Sequence, residues 1–219
     1  MKANTYWDNF HRKGIALAIV RIVAGIRGLV WTLVTAMVMS LGWVGTVAAA
    51  SPFELTDWPG PAVNPSFALT DSLGHPHTLN DYQGKVVVIF FGYTRCPGPC
   101  PSELLTLALA IKSLPRSTPV QVLFISLDPE HDSADKLLSY TRHFHSSFIG
   151  LTGTSQQLDQ AAGEFGVTYA RVPAGSDYVI SHDTNTYLLD KTGRLRLVAT
   201  LESKPRQIAH DIALLAREN

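Results

Sequence analysis

The apolar positions of this chain fall into distinct periods, and each period predicts a different element. Residues 29–50 are apolar nearly throughout and carry no charge, which predicts a helix long enough to cross a bilayer core of about 30 Å. Lys85-Val86-Val87-Val88-Ile89-Phe90-Phe91 is a continuous β-branched and aromatic run, the pattern of a strand buried on both faces. Residues 119–126 predict a second buried strand, and residues 67–79 a hairpin turning at Ser72-Leu73-Gly74. A further hairpin is predicted from Thr186-Tyr187-Leu188-Leu189-Asp190, the turn Lys191-Thr192-Gly193-Arg194 and a partner strand over 195–201. Elsewhere the spacing is helical. Pro101-Ser102-Glu103 opens a run of helix formers over 104–114, with proline at a first-turn position. Residues 133–144 read as a helix with Ser or Asp capping signals. Over 154–165, Leu158, Ala161, Ala162 and Phe165 share one face, and Gly166 closes the helix. Over 204–217, Ile208, Ile212 and Leu215 face inward. Strands alternating with helices, then a terminal hairpin and helix, fit an α/β fold with a mixed sheet flanked by helices.

Charge divides the chain further. The 219 residues sum to no net formal charge, yet from Ser51 onward 13 Lys and Arg stand against 17 Asp and Glu. The excess of positive charge lies before the apolar run, where Lys2, Arg12, Lys13, Arg21 and Arg27 oppose a single Asp8. That asymmetry predicts residues 1–28 in the cytoplasm, 29–50 as a single-pass anchor in a bacterial inner membrane, and the rest in the periplasm. Ala48-Ala49-Ala50-Ser51 resembles a signal-peptidase site, so a cleaved signal with a soluble periplasmic product is the alternative. The apolar run exceeds the usual signal core of about 7–15 residues, which favours the retained anchor. Residues 51–66, with Pro52, Pro59, Gly60, Pro61 and Pro65, read as an extended Pro-rich tether with some packing from Phe53 and Trp58. Residues 67–219 suit one domain with one core. Nothing in the composition suggests nucleic acid.

The chemistry concentrates in the two cysteines. Cys96 and Cys100 sit in Gly92-Tyr93-Thr94-Arg95-Cys96-Pro97-Gly98-Pro99-Cys100-Pro101, between a buried strand and a helix start. Unpaired N–H groups and the positive end of the helix dipole lower a thiol pKa there. Three outcomes are open: a structural disulfide, a redox-active dithiol, or a pair of thiolate ligands for a soft metal. A disulfide closing so short a loop is a weak staple. The redox pair of thioredoxin type has two intervening residues, whereas this pair has the stiffer Pro97-Gly98-Pro99. Two thiolates leave a metal under-coordinated, and the candidate third donor is His182, just before the strand that starts at Thr186. His75 and His77, and likewise His143 and His145, lack a ligand set and read as solvated surface.

From about Phe67 onward the chain resembles the SCO/SenC family of membrane-tethered, thioredoxin-like copper proteins. The resemblance rests on Phe91-Gly92-Tyr93-Thr94 leading into the cysteine motif, Ser126-Leu127-Asp128-Pro129-Glu130-His131-Asp132, Phe148-Ile149-Gly150-Leu151-Thr152-Gly153, and the segment from His182 to Asp190. It implies a thioredoxin-like fold and copper as Cu(I) or Cu(II), bound by Cys96, Cys100 and His182. It also implies a role in assembling the dinuclear copper centre of cytochrome c oxidase, by copper delivery or by thiol reduction. The implied partners are the copper-site subunit of that oxidase and another copper chaperone. The chain departs from the family pattern at Gly98, where an Asp is usual, and at Ser181, commonly acidic, with Asp183 following the histidine instead. Soft thiolates suit Cu(I) and imidazole suits both oxidation states; Asp183 and Asp128 are candidate fourth donors for Cu(II). The competing function is a metal-independent periplasmic thiol–disulfide oxidoreductase using Cys96 and Cys100. A peroxidase and an adaptor domain with an inert disulfide are further alternatives.

Overall fold

The computed structural model describes residues 51–218. Among them no helix is long and apolar enough to cross a membrane; the basic segment 1–28 and the anchor expected at 29–50 lie outside the described residues. Residues 51–219 form one compact unit with its own core.

The centre of the sheet is β4 (Val86–Gly92), buried at every position, as its unbroken apolar run requires. It pairs in parallel with β5 (Val120–Ser126), which pairs in parallel with β6 (Ile149–Thr152). Parallel neighbours need crossovers, and these are α1 (Pro99–Ser113) and α2 (Ala134–Phe144). On the other side β9 (Thr186–Leu189) runs antiparallel to β4 and continues into the hairpin partner β10 (Leu195–Ala199). The far edge is the hairpin of β2 (Ala68–Asp71) and β3 (Pro76–Thr78), with Gly74 at positive φ in its turn. A short 3-10 turn (Leu79–Tyr82) leads back to β4. Two more helices complete the layers: α3 (Ser155–Glu164), capped by Thr154 and Gln157, and α4 (Pro205–Arg217). Phe90, Phe91, Phe124 and Phe165 fill the core between sheet and helices. The mixed sheet flanked by helices is the architecture expected from the sequence.

Two regions differ from that expectation. Residues 51–66 are extended but docked. Thr56–Asp57 forms β1, an edge strand on β10, Leu55 and Pro65 are buried, and the backbone N–H groups of Glu54 and Leu55 donate to the buried Asp211 carboxylate of α4 at 3.0 and 2.7 Å. A buried carboxylate needs such donors, so Asp211 fixes this segment to the body. The second region is residues 169–182. It forms a ribbon of β7 (Tyr169–Ala174) and β8 (Asp177–His182), separate from the eight-stranded sheet, turning at Gly175 with φ 65°.

Candidate metal centre

The cysteines lie where β4 ends and α1 begins. Helix α1 starts at Pro99, earlier than expected from sequence, so Cys100 sits in its first turn and Gly98 is the N-cap. Pro99 and Pro101 carry no N–H, which removes donors that a helix start normally has to satisfy. The N–H of Cys100 remains, and it donates to Cys96 Sγ at 3.5 Å. Gly92 at the strand end is required by proximity: a Cβ there would lie 2.9 Å from Cys100 Sγ and 2.9 Å from the Phe124 ring. Both thiols are free. Cys100 has no exposure and Cys96 is 8 % exposed.

His182 comes from the separate β7–β8 ribbon. It is the last residue of β8, not a loop residue ahead of β9, and lies opposite Tyr169 in the ribbon. Its Nε2 is 3.7 Å from Cys100 Sγ, while its Nδ1 is 2.7 Å from the backbone oxygen of Asp183. A carbonyl only accepts, so Nδ1 carries the hydrogen, and in the neutral ring Nε2 presents its lone pair to the sulfurs. Tyr93 and Phe90 meet the imidazole edge-on. Ligand atoms of Cys96, Cys100 and His182 all lie within 4.8 Å of one another, the one such group of metal-ligating side chains among the described residues.

The two thiols are inequivalent. A hydrogen bond from the Cys100 thiol, aided by the backbone N–H groups nearby, outweighs burial and holds the Cys96 thiol down at about 4. The same bond to Cys96, together with burial, pushes the Cys100 thiol up. Cys96 is thus the ready thiolate and Cys100 the protonated partner. Neither carboxylate expected as a fourth donor joins them. Asp183 Oδ2 accepts from the N–H and hydroxyl of Thr168, both at 2.8 Å. Asp128 is fully buried and accepts from Arg95 at 3.0 Å and Tyr178 at 2.6 Å. Each is already satisfied by the protein.

The loop after β5 meets the cysteine loop. Asp132 takes hydrogen bonds from the Thr94 N–H at 3.0 Å and from the Ser126 hydroxyl, and Leu127 N–H donates to Gly92 O at 2.7 Å. Sequence reasoning passed over Arg95, Tyr178 and Asp177, which cluster at Asp128 beside the cysteine loop. It also passed over Glu103, buried one turn beyond Cys100, which accepts from Thr186 Oγ1 at 2.7 Å and whose acid burial pushes up. The adjacency of Arg95 to Cys96 was the available signal for the first. His77 is held by Tyr82 at 2.8 Å and lies in no metal-ligating group.

Comparison with known proteins places this geometry. The SCO1/SenC family model matches residues 55–217. An SCO2-like protein of Rickettsia felis is 35% identical over 146 residues, covering 65% of this chain and 71% of that protein. The chain spans about half the length of the mitochondrial SCO1 and SCO2 homologues that it matches. Among solved structures, Arabidopsis thaliana ScoI with copper bound superposes with a TM-score of 0.65 at 29% identity, covering 69% of this chain and 96% of that one. Apo Sco1 from Thermus thermophilus gives a TM-score of 0.67 at 35% identity, covering 76% and 99%.

Proposed function

The chain belongs to the SCO1/SenC family, and from that premise we propose that it carries copper as cargo on Cys96, Cys100 and His182 and serves the assembly of the dinuclear copper centre of cytochrome c oxidase. One observation carries this reading. Two free thiols and an imidazole with its Nε2 lone pair turned inward converge from elements 82 residues apart. Two sulfurs and one nitrogen suit copper in either oxidation state, and relatives from Arabidopsis and yeast have been solved with copper bound. Copper loading displaces the Cys100 proton, because the ligand is the thiolate. A three-donor set also stays open to ligand exchange with an incoming thiolate, as a closed four-donor cage does not. The copper-site subunit of the oxidase is the client in this reading, and a second copper chaperone is the supplier. Residues 29–50 hold the domain at the periplasmic face of the inner membrane, or are removed as a signal.

The test is transfer. Protein loaded with Cu(I) is mixed with the apo copper-site domain of the oxidase, the two are separated, and copper in each is measured. Most of the metal is expected on the client, and metal retained wholly by the donor overturns the delivery role.

The pKa asymmetry favours a second reading, a metal-independent thiol–disulfide oxidoreductase with Cys96 as attacking thiolate. That activity has no use for His182. Disulfide reduction of the client at an undiminished rate by His182→Ala supports it.

A further inference from the structure

The β7–β8 ribbon carries one of the three ligands, yet it pairs with no strand of the main sheet. An isolated two-stranded ribbon is at best marginally stable in water, so contacts at its two ends decide where it lies. At the end next to β9, Thr168 and Asp183 exchange hydrogen bonds and the Tyr169 hydroxyl donates to Asp159. At the turn end the contacts are made by charged groups around Tyr178.

The Tyr178 hydroxyl donates to Asp128 at 2.6 Å. Two guanidinium groups lie over its ring, Arg95 at 5.3 Å and Arg171 at 4.8 Å from the centroid. Arg95 donates to Asp177 on the ribbon at 2.6 Å and to Asp128 on the body at 3.0 Å. Arg171 donates to Glu130 at 2.7 Å, and His131 Nδ1 lies 3.0 Å from the Tyr178 hydroxyl and 2.9 Å from Arg95. Burial works against ionisation of Asp128, yet the bonds from Tyr178, His131 and Arg95 hold its carboxyl below the ordinary range. The Tyr178 hydroxyl and the terminal nitrogens of Arg95 and Arg171 thus donate to carboxylates, the stronger class of hydrogen bond.

Arg95 immediately precedes Cys96 in the chain. One side chain thus grips the ribbon that bears His182 and the loop that bears Cys96. We propose that Tyr178 is a positioning residue: clasped by Arg95, Arg171 and Asp128, it holds the ribbon against the body and keeps His182 in ligating range of the cysteine pair. The metal consequence rests on the copper reading above; the mechanical one does not.

Two measurements on the full chain separate them. The first is amide hydrogen exchange of the apo protein. Tyr178→Ala is expected to raise exchange in residues 169–182 by about tenfold, the equilibrium effect of losing one hydrogen bond to a charged group, with β4 and β5 unchanged. Tyr178→Phe, which keeps the stacking, is expected to fall between. Exchange in 169–182 within experimental error of the unsubstituted protein overturns the proposal, and so does loosening that extends to β4 and β5, which marks a general loss of stability. The second is nitrogen hyperfine coupling in the Cu(II)-loaded protein, with His182→Ala as reference. Tyr178→Ala is expected to bind copper with the imidazole signal reduced toward that reference, whereas a full signal overturns the proposal. If the unsubstituted protein itself shows no coupling from His182, the copper reading fails, and the exchange measurement still decides the clasp.

Discussion

At the scale of single residues, Gly98 is the position where a small change has the clearest chemical reading. The prolines on either side of Cys100 leave its N–H as a first-turn donor, and that donor is spent on Cys96 Sγ. A carboxylate at the N-cap competes for the same N–H and places a second negative charge beside the thiolate. A Cβ at Gly98 meets nothing within 4 Å, so the side chain is accommodated. Gly98→Asp is therefore expected to raise the Cys96 thiol from about 4. It should slow alkylation by iodoacetamide below that pH by about tenfold, as a loss of about 1.4 kcal/mol in thiolate stabilisation requires. An unchanged pH profile would show that the Cys100 bond alone sets the thiol. At this scale the candidate ligands were legible in the sequence, two cysteines by their place between strand and helix and His182 through the family resemblance. Arg95 and Tyr178 were not. Their partners are far along the chain, and although Arg95 adjoins Cys96, that adjacency does not say that it will meet Asp128 and Asp177.

Among the elements, α1 joins the chemistry to the core. Its first turn holds Cys100, and the next turn inserts Glu103 against Thr186 of β9. Burial raises the Glu103 acid above its ordinary value of 4.5. The folded protein then binds this proton more tightly than the unfolded chain does. Its stabilising contribution is fully present below pH 4.5 and is lost as pH rises through the folded value. Glu103→Gln keeps an acceptor for the threonine and cannot ionise. It is expected to stabilise the domain at pH 7, with the gain disappearing at pH 4, as read by urea unfolding at both values. A gain equal at both values, or a loss at pH 7, contradicts the assignment of burial as the cause. Long elements with strong periods, such as β4, β5 and α3, were legible in the pattern because their own packing dictates it. β1 and the ribbon were not. β1 is two exposed residues whose pairing is imposed by β10 and by Asp211. The ribbon has one buried residue, Ile180, in β8 and none in β7, so no apolar alternation announces it. The glycine of its turn was the signal present.

In the molecule as a whole, the described residues make an open mixed sheet with the candidate site at the C-terminal edge of β4 and β5, where the cysteine loop, the loop after β5 and the ribbon converge. The sequence alone divides the chain at the end of its apolar run; among the described residues, 51–66 dock on the body through β1 and Asp211. What the fold adds is the meeting of three candidate ligands from two separate stretches of chain, a relation that only the tertiary structure displays. Anaerobic titration with Cu(I) against a competing chelator tests that meeting most directly, with the unsubstituted protein beside Cys96→Ala, Cys100→Ala and His182→Ala. One copper per chain is expected, weakened at least about tenfold by each cysteine change and measurably by the histidine change, as loss of a first ligand exceeds the 10–100-fold effect typical of its supporting contacts. Binding absent from the unsubstituted protein, or indifferent to all three substitutions, would contradict the copper site.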